Sequence, residues 1–156
     1  MNKSRGAALV ELAIVLPVLL MMVFGITELG RALYQLNTLA KSADAGVRYL
    51  SRAWDVLDEN CQPTAGWATA ISATANYVVF GNAAGQGDPL IPGLSTAGVS
   101  VAAAYGEVAG SEESACIVRV TASAPFNGVF GERVVPFTRL GPIDLITSRE
   151  GRYIGE

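Results

Sequence analysis

Residues 7–26 constrain this chain more than any other segment, because they form a run of 20 residues with a single ionised side chain. A helix of that length spans a hydrocarbon core of about 30 Å. The one ionised group is Glu11, and a carboxylate within a membrane costs roughly 2.5–3.5 kcal/mol on insertion scales. A charge kept at that cost indicates a function inside the membrane. Pro17 should kink or loosen the helix, because it removes one backbone hydrogen bond.

A short basic segment precedes the apolar run. It carries Lys3 and Arg5 and ends at Gly6, and Glu11 is the fifth residue after that glycine. The arrangement resembles a prepilin-type precursor, which predicts cleavage between Gly6 and Ala7. Glycine suits a peptidase that must approach the backbone closely. Cleavage would create an α-amino group on Ala7, and a buried Glu11 carboxylate is tolerable when it pairs with such a terminus on a neighbouring subunit.

The N-terminal segment has two other interpretations, a secretory signal peptide and an uncleaved membrane anchor, and the sequence argues against the first. A secretory signal has an apolar core of about 7–15 residues and a small-x-small cleavage site. The run here is longer, contains Glu11 and lacks that site. An uncleaved single-span anchor stays open. Whether the segment is a prepilin-type helix or an uncleaved anchor, Lys3 and Arg5 predict an N-terminus in the cytoplasm and the rest of the chain outside it.

Charge and composition argue against nucleic-acid binding and catalysis. The chain has a net charge of −3 and no histidine. Residues 53–118 contain no Lys or Arg but seven carboxylates, and such a stretch repels phosphates. Without histidine there is no Ser-His or Cys-His pair, and the adjacent Glu112 and Glu113 lie in a Gly/Ser loop suited to solvation. We therefore predict a protein that is not an enzyme and has no metal and no cofactor.

Cys61 and Cys116 are the two cysteines of the chain. An even pair in an exported domain usually forms a disulfide, which would stabilise the fold by roughly 4 kcal/mol in the chain-entropy model. Two free buried thiols are the alternative. A metal site would need more ligands than two thiols.

Beyond the membrane the helical pattern continues. Apolar residues recur in steps of four and three, which is coiled-coil spacing, and predict a rod from Ala7 to Leu57 about 75 Å long. We call this set the apolar seam: Met22, Ile26, Leu29, Leu33, Leu36, Ala40, Ala43, Val47, Leu50, Trp54 and Leu57. The pattern does not decide whether the chain's own domain or a neighbouring subunit covers the seam. We expect the domain to cover its outer half.

The remaining residues predict a small mixed domain. Residues 60–63 end the rod, Thr64 begins a second helix that runs to Phe80, and residues 82–98 form a loop rich in Gly, Pro and Asn. The period then changes to two over residues 99–105 and 116–122, and weaker strands are predicted at 134–137 and 143–147. The predicted class is therefore α+β: a long N-terminal helix, a second short helix and a small antiparallel β-sheet, which is a pilin-like arrangement.

Three segments resemble the TadE-like family: Arg5–Leu20, Phe24–Arg31 and Asn37–Tyr49. These proteins are minor pseudopilins of the tight adherence, or Flp-type, pilus. Flp-type cleavage sites often pair the glutamate with a tyrosine, whereas Leu12 follows Glu11 here. The resemblance implies processing by a prepilin peptidase. It implies as partners other pseudopilins, the Flp-type major pilin, the inner-membrane assembly platform and membrane lipid.

Four parts of the chain follow from these predictions: a leader at 1–6, a transmembrane helix at 7–26, a helical stalk at 27–58 and an α+β domain at 59–156. The resemblance implies a single-pass protein of a bacterial inner membrane, with its C-terminal domain periplasmic or extracellular. The first functional hypothesis is a structural subunit of the pilus, possessing the processing site at Gly6 and Ala7 and an assembly residue, Glu11. The second is a membrane-tethered binding or adaptor domain that uses the 82–98 loop for contact.

Overall fold

The computed structural model describes residues 3–107, 114–129 and 143–155. Helix α1 spans Lys3–Arg52 and α2 spans Trp67–Phe80. A short 3-10 turn at Thr96–Gly98 leads into strand β1 (Val99–Glu107), which is followed by β2 (Ser114–Pro125) and β3 (Asp144–Arg152). The three strands form one antiparallel sheet in the order β1-β2-β3. The predicted α+β class is confirmed.

The sheet packs through alternate residues of its central strand. Val118, Val120 and Ala122 of β2 are fully buried, while Arg119 between them is exposed and pairs with Glu150 of β3. This alternation is what a strand with one covered face requires. The predicted strand at residues 143–147 is the start of β3, which continues to Arg152. The predicted strand at 134–137 lies outside the described residues.

The outer half of α1 forms the centre of the core. It packs against β3 and β2 on one side and against α2 on another. Gly46 permits the close approach of α2, since a Cβ atom there would lie 2.7 Å from Cγ2 of Val78. Gly151 of β3 does the same against Val47. Gly46 of α1 and Gly151 of β3 therefore let α1 pack closely against α2 and against β3.

Helix α1 ends at Arg52, so the prediction of a rod through Leu57 was wrong. The hydroxyl of Tyr153 donates a hydrogen bond to the carbonyl of Ala53 at 2.9 Å, and it accepts one from the amide of Val56 at 3.3 Å. These bonds hold the chain in a turn just after the helix, where Asp55 has a φ of 52°. Trp54 consequently leaves the apolar seam and is 77% exposed.

Helix α2 begins at Trp67, three residues later than predicted. The Thr64 hydroxyl donates to the carbonyl of Asp55 at 2.5 Å instead of capping the helix, and it accepts a bond from the amide of Gly66. The predicted end is observed: Gly81 follows the helix with a φ of 74°, and its amide donates to the carbonyl of Tyr77. A left-handed residue of this kind is the usual helix stop.

Cys61 and Cys116 form a disulfide with a Cα–Cα distance of 5.5 Å. The bond joins the turn after α1 to β2, across 55 residues of sequence. Cys61 is buried, and Cys116 packs against the core. The disulfide therefore fixes the sheet to the C-terminal end of α1, which is farthest from the apolar run at residues 7–26.

We expect the purified protein to resist alkylation at both cysteines when it is unfolded without a reductant. The double variant Cys61→Ala/Cys116→Ala should lose roughly 4 kcal/mol of stability, because the unfolded chain regains the freedom of a 55-residue loop. Mass spectrometry after alkylation and urea denaturation measure the two effects. Alkylation of both thiols in the non-reduced protein would contradict the bond.

Candidate assembly surface on the N-terminal helix

The apolar run of α1, residues 7–26, projects away from the domain. Its residues are exposed from Gly6 to Phe24, and none of its most apolar window is buried within the protein. The helix is long and apolar enough to cross a membrane and continues through Pro17 without interruption. Gly6, Ala7 and Glu11 all lie in this exposed part, remote from the residues that form the core. A structure of this kind is consistent with a single-pass membrane anchor.

The apolar seam is divided between two environments. Its outer members Ala43, Val47 and Leu50 are buried by the chain's own domain, as expected. Its inner members are not: Leu29 is 55% exposed and Leu33 is 59% exposed. Together with Met22, Ile26 and Leu36, which are also exposed, they form what we call the inner seam. The domain leaves the inner seam uncovered.

The domain contacts a different face of the inner stalk, and it does so through polar groups. Glu28 is 1% exposed, and its Oε1 accepts a hydrogen bond from the amide of Val129 at 2.7 Å. Gln35 is 6% exposed, and its Nε2 donates to the carbonyl of Asn127 at 3.0 Å. Glu28 and Gln35 lie seven residues apart, which places them on the same face of a helix two turns from each other.

Sequence reasoning missed this pair. From the sequence alone, Glu28 and Arg31 are an acidic and a basic residue that cancel in charge just beyond the apolar run, and no role was predicted for Gln35. The seven-residue spacing of two hydrogen-bonding side chains was the available signal. It is weak, because Thr27, Asn37 and Thr38 offer similar polar positions nearby. Only the approach of residues 126–129 distinguishes Glu28 and Gln35.

Glu11 shares a helix face with the inner seam. Glu11 and Leu29 are 18 residues apart, which is five complete turns at 3.6 residues per turn. The side chains of both therefore project on the same side of α1. A helix packed along the inner seam would run past Glu11 in the predicted span. The exposed face of α1 thus combines an apolar stripe that runs from the predicted span into the stalk with one carboxylate inside the span.

The rest of the described chain shows little that suggests chemistry. Within residues 3–107, 114–129 and 143–155 there is no group of three or more His, Cys, Asp or Glu side chains placed to hold a metal ion. Glu112 and Glu113, considered above for acid–base chemistry, lie outside the described residues. The remaining candidate for a functional surface is the exposed face of α1, whose outer half packs against the domain.

These features define an α+β protein carried on one long apolar N-terminal helix. The family model described as TadE-like protein matches residues 6–48, which is the exposed part of α1 and most of its packed part. The resemblance predicted from the sequence is thereby confirmed over these residues. TadE-like proteins are associated with the Tad pilus. No curated protein and no solved structure matches the chain.

Proposed function

We propose that this protein is a minor pseudopilin, a structural and assembly subunit of a Tad-type pilus that is anchored in the bacterial inner membrane. A prepilin peptidase cuts between Gly6 and Ala7, and the domain lies on the periplasmic side. The observation that carries the proposal is the uncovered inner seam, because it continues the face of Glu11 and lies within the TadE-like segment. The partners are other pseudopilins, the Flp-type major pilin and the assembly platform.

The inner seam supports an assembly role on energetic grounds. Fully burying a leucine side chain is worth about 1.5–3 kcal/mol relative to leaving it exposed. Leu29, Leu33 and Leu36 lie beyond the predicted end of the span, so the hydrocarbon core does not cover them. A second helix with the same four-three spacing would bury all three at once, in the manner of a coiled coil.

Glu11 gives such a helix pair its register. A carboxylate in hydrocarbon is stable only with a partner, and the α-amino group of Ala7 is the positive charge that processing would create. When that amine comes from a neighbouring subunit, the two charges fix how far one helix slides along the other. An anchor that carried only the domain would need neither Glu11 nor the inner seam.

The experiment is a comparison of two lysine variants with matched exposure. Leu33 of the inner seam is 59% exposed, and Ile146 on the outer face of β3 is 61% exposed. We expect Leu33→Lys to lower the amount of partner pseudopilin that co-purifies from membranes by roughly tenfold, because a charge at the centre of a helix interface removes a principal contact. Ile146→Lys should leave it unchanged, since only α1 forms the proposed interface.

Equal co-purification by Leu33→Lys and the wild-type chain would contradict the proposal. So would the opposite pattern, in which Leu33→Lys assembles and Ile146→Lys does not. The adaptor alternative predicts a third result, in which neither variant affects pseudopilin binding and a substitution in the 82–98 loop abolishes the protein's interactions. Circular dichroism of each purified variant shows whether the domain is folded.

A further inference from the structure

A groove of about 460 Å³ lies between α1 and the loop at Leu90–Pro92, on a side of the helix that the inner seam does not occupy. We call it the Gln35 groove. Its α1 wall includes Thr27, Arg31 and Gln35, and its other wall is the loop. At about 100° per residue, Thr27 and Leu29 project roughly 200° apart around the helix. The Gln35 groove and the inner seam are therefore separate surfaces.

Hydrogen bonds hold the two walls of the groove together. Gln35 donates through Nε2 to the carbonyl of Asn127, and Asn127 donates through Nδ2 to the carbonyl of Pro92 at 3.2 Å. The amide of Leu90 donates to the carbonyl of Val79 at 2.8 Å, and Ile91 is buried beneath it. The groove is therefore formed before any ligand enters it, as is usual for small-molecule sites.

Gln35 presents an acceptor without a partner. The side chain is 6% exposed, and among the described residues no donor reaches its Oε1. Most buried polar atoms have a hydrogen-bond partner. The nearby threonine hydroxyls use their protons elsewhere, because Thr27 donates to the carbonyl of Val23 and Thr38 to that of Tyr34. A ligand with an N–H or O–H group would satisfy Oε1.

Arg31 gives the groove a positive charge. Its side chain is exposed, and no ion pair joins it to any carboxylate in the described part of the chain. A guanidinium group binds phosphate through several N–H donors in one plane. The groove therefore combines a site for an anion at Arg31 with a site for a donor at Gln35.

The membrane-side end of the groove, at Thr27 and Arg31, lies within or at the outer edge of the lipid headgroup layer, and Gln35 lies about 6 Å farther out along α1. Arg31 follows Ile26, the predicted end of the span, by five residues or about 7.5 Å. The headgroup layer adds roughly 5–7 Å on each side of the hydrocarbon core. Leu20, Val23 and Phe24 precede the groove on the same side of α1 and are exposed, so they would contact the acyl chains of a lipid held there.

We propose that the Gln35 groove binds the headgroup of one phospholipid that carries both a phosphate and a primary ammonium group. Arg31 holds the phosphate, and the ammonium donates a hydrogen bond to Oε1 of Gln35. The exposed side chain of Leu90 rests on the lipid surface, so the domain is steadied against the membrane at a second point. This inference rests on the part of the proposed function that places α1 across the membrane, and it does not depend on pilus assembly.

The experiment uses the full chain reconstituted in vesicles that contain phosphatidylethanolamine, phosphatidylcholine and phosphatidylglycerol in equal amounts. Native mass spectrometry after mild detergent extraction measures the lipid that stays bound. We expect about one phosphatidylethanolamine per chain. Phosphatidylcholine should be retained less, because its trimethylammonium group has no proton to donate to Gln35.

Matched variants test the two contacts. Arg31→Gln should reduce retained lipid roughly tenfold, as expected for loss of a charge-assisted hydrogen bond. Arg52→Gln removes an exposed arginine at the far end of the same helix and should leave retention unchanged. Gln35→Met should abolish the preference for ethanolamine over choline. Millimolar inorganic phosphate should not displace the lipid, since the acyl chains contribute to binding.

Equal lipid retention by Arg31→Gln and the wild-type chain would overturn the proposal. Equal retention of ethanolamine and choline lipids would do the same, as would displacement by inorganic phosphate. A cross-link from Tyr34→Cys to a second chain, with no lipid bound, would show that a helix occupies the groove instead. Arg31→Gln should still co-purify with partner pseudopilins, so this test can fail while the proposed function stands.

Discussion

The variant Glu11→Leu is expected to insert into the membrane at least as well as the wild-type chain and to assemble poorly. Insertion should not suffer, because the substitution removes a carboxylate that costs a few kcal/mol in hydrocarbon. Under the proposed function assembly should fail, because the amine of Ala7 on a neighbouring subunit would lose the carboxylate proposed to pair with it and to set the register of the two helices. If α1 served only as an anchor, Glu11→Leu would insert normally and assemble normally.

The measurements are membrane fractionation for insertion, and co-purification with pseudopilins together with surface piliation for assembly. Glu11→Asp is the matched control, since it keeps the charge on a side chain one methylene shorter. We expect Glu11→Asp to retain part of the assembly that Glu11→Leu loses. Normal piliation in Glu11→Leu would contradict the pairing of Glu11 with the α-amino group of Ala7, and α1 would then be only a membrane anchor.

Replacement of Gly6 by leucine is expected to block maturation. The peptidase must bring its catalytic groups close to the backbone at the cleavage site, and a branched side chain at the last leader position obstructs that approach. The product should be a membrane precursor that migrates more slowly than the mature chain. Immunoblotting of membrane fractions measures the ratio of the two forms.

Gly25→Leu is the control for Gly6→Leu. Both glycines lie in α1, and in both cases an added Cβ atom would meet nothing within 4 Å. Neither substitution should therefore disturb the fold, and only Gly6→Leu should affect cleavage. Normal processing of Gly6→Leu would move the cleavage site elsewhere or eliminate it.

The elements with a clear period were predictable from the sequence. The alternation of Val118, Val120 and Ala122 gave β2, because a strand with one buried face must repeat every two residues. The apolar run and its continuation predicted helix α1 and the burial of the outer part of the seam, around Val47 and Leu50. The end of α2 was predictable as well, since Gly81 is a local stop signal.

Features that depend on distant parts of the chain were not predictable. The end of α1 is fixed by Tyr153, whose hydroxyl binds the carbonyl of Ala53 across 100 residues. No local pattern near Arg52 encodes that bond. The exposure of the inner seam likewise depends on which face of the stalk the domain contacts. Glu28 accepts a hydrogen bond from the amide of Val129, and Gln35 donates one to the carbonyl of Asn127, so the domain contacts their face. A polar side chain on a helix is ordinarily exposed, so the sequence analysis assigned neither residue to a contact with the domain.

In the candidate site too, the local motif was predictable from the sequence, whereas the surface formed by distant residues was not. Gly6, Ala7 and Glu11 were identified from the sequence because they form a local motif next to an apolar run. Their exposure on α1 agrees with a surface available to other proteins, and their roles remain predictions. The Gln35 groove was not identifiable in advance, since residues near 31, 91 and 127 meet only in the folded chain.

The mass of the N-terminal peptide of the protein isolated from membranes of its own cells tests the central claim most directly. A pseudopilin that has passed through a prepilin peptidase must lack residues 1–6. We predict that the mature chain begins at Ala7, with Glu11 as its fifth residue and the leader charges Lys3 and Arg5 removed. A chain that keeps an intact Met1 would contradict the account and favour a membrane-tethered adaptor.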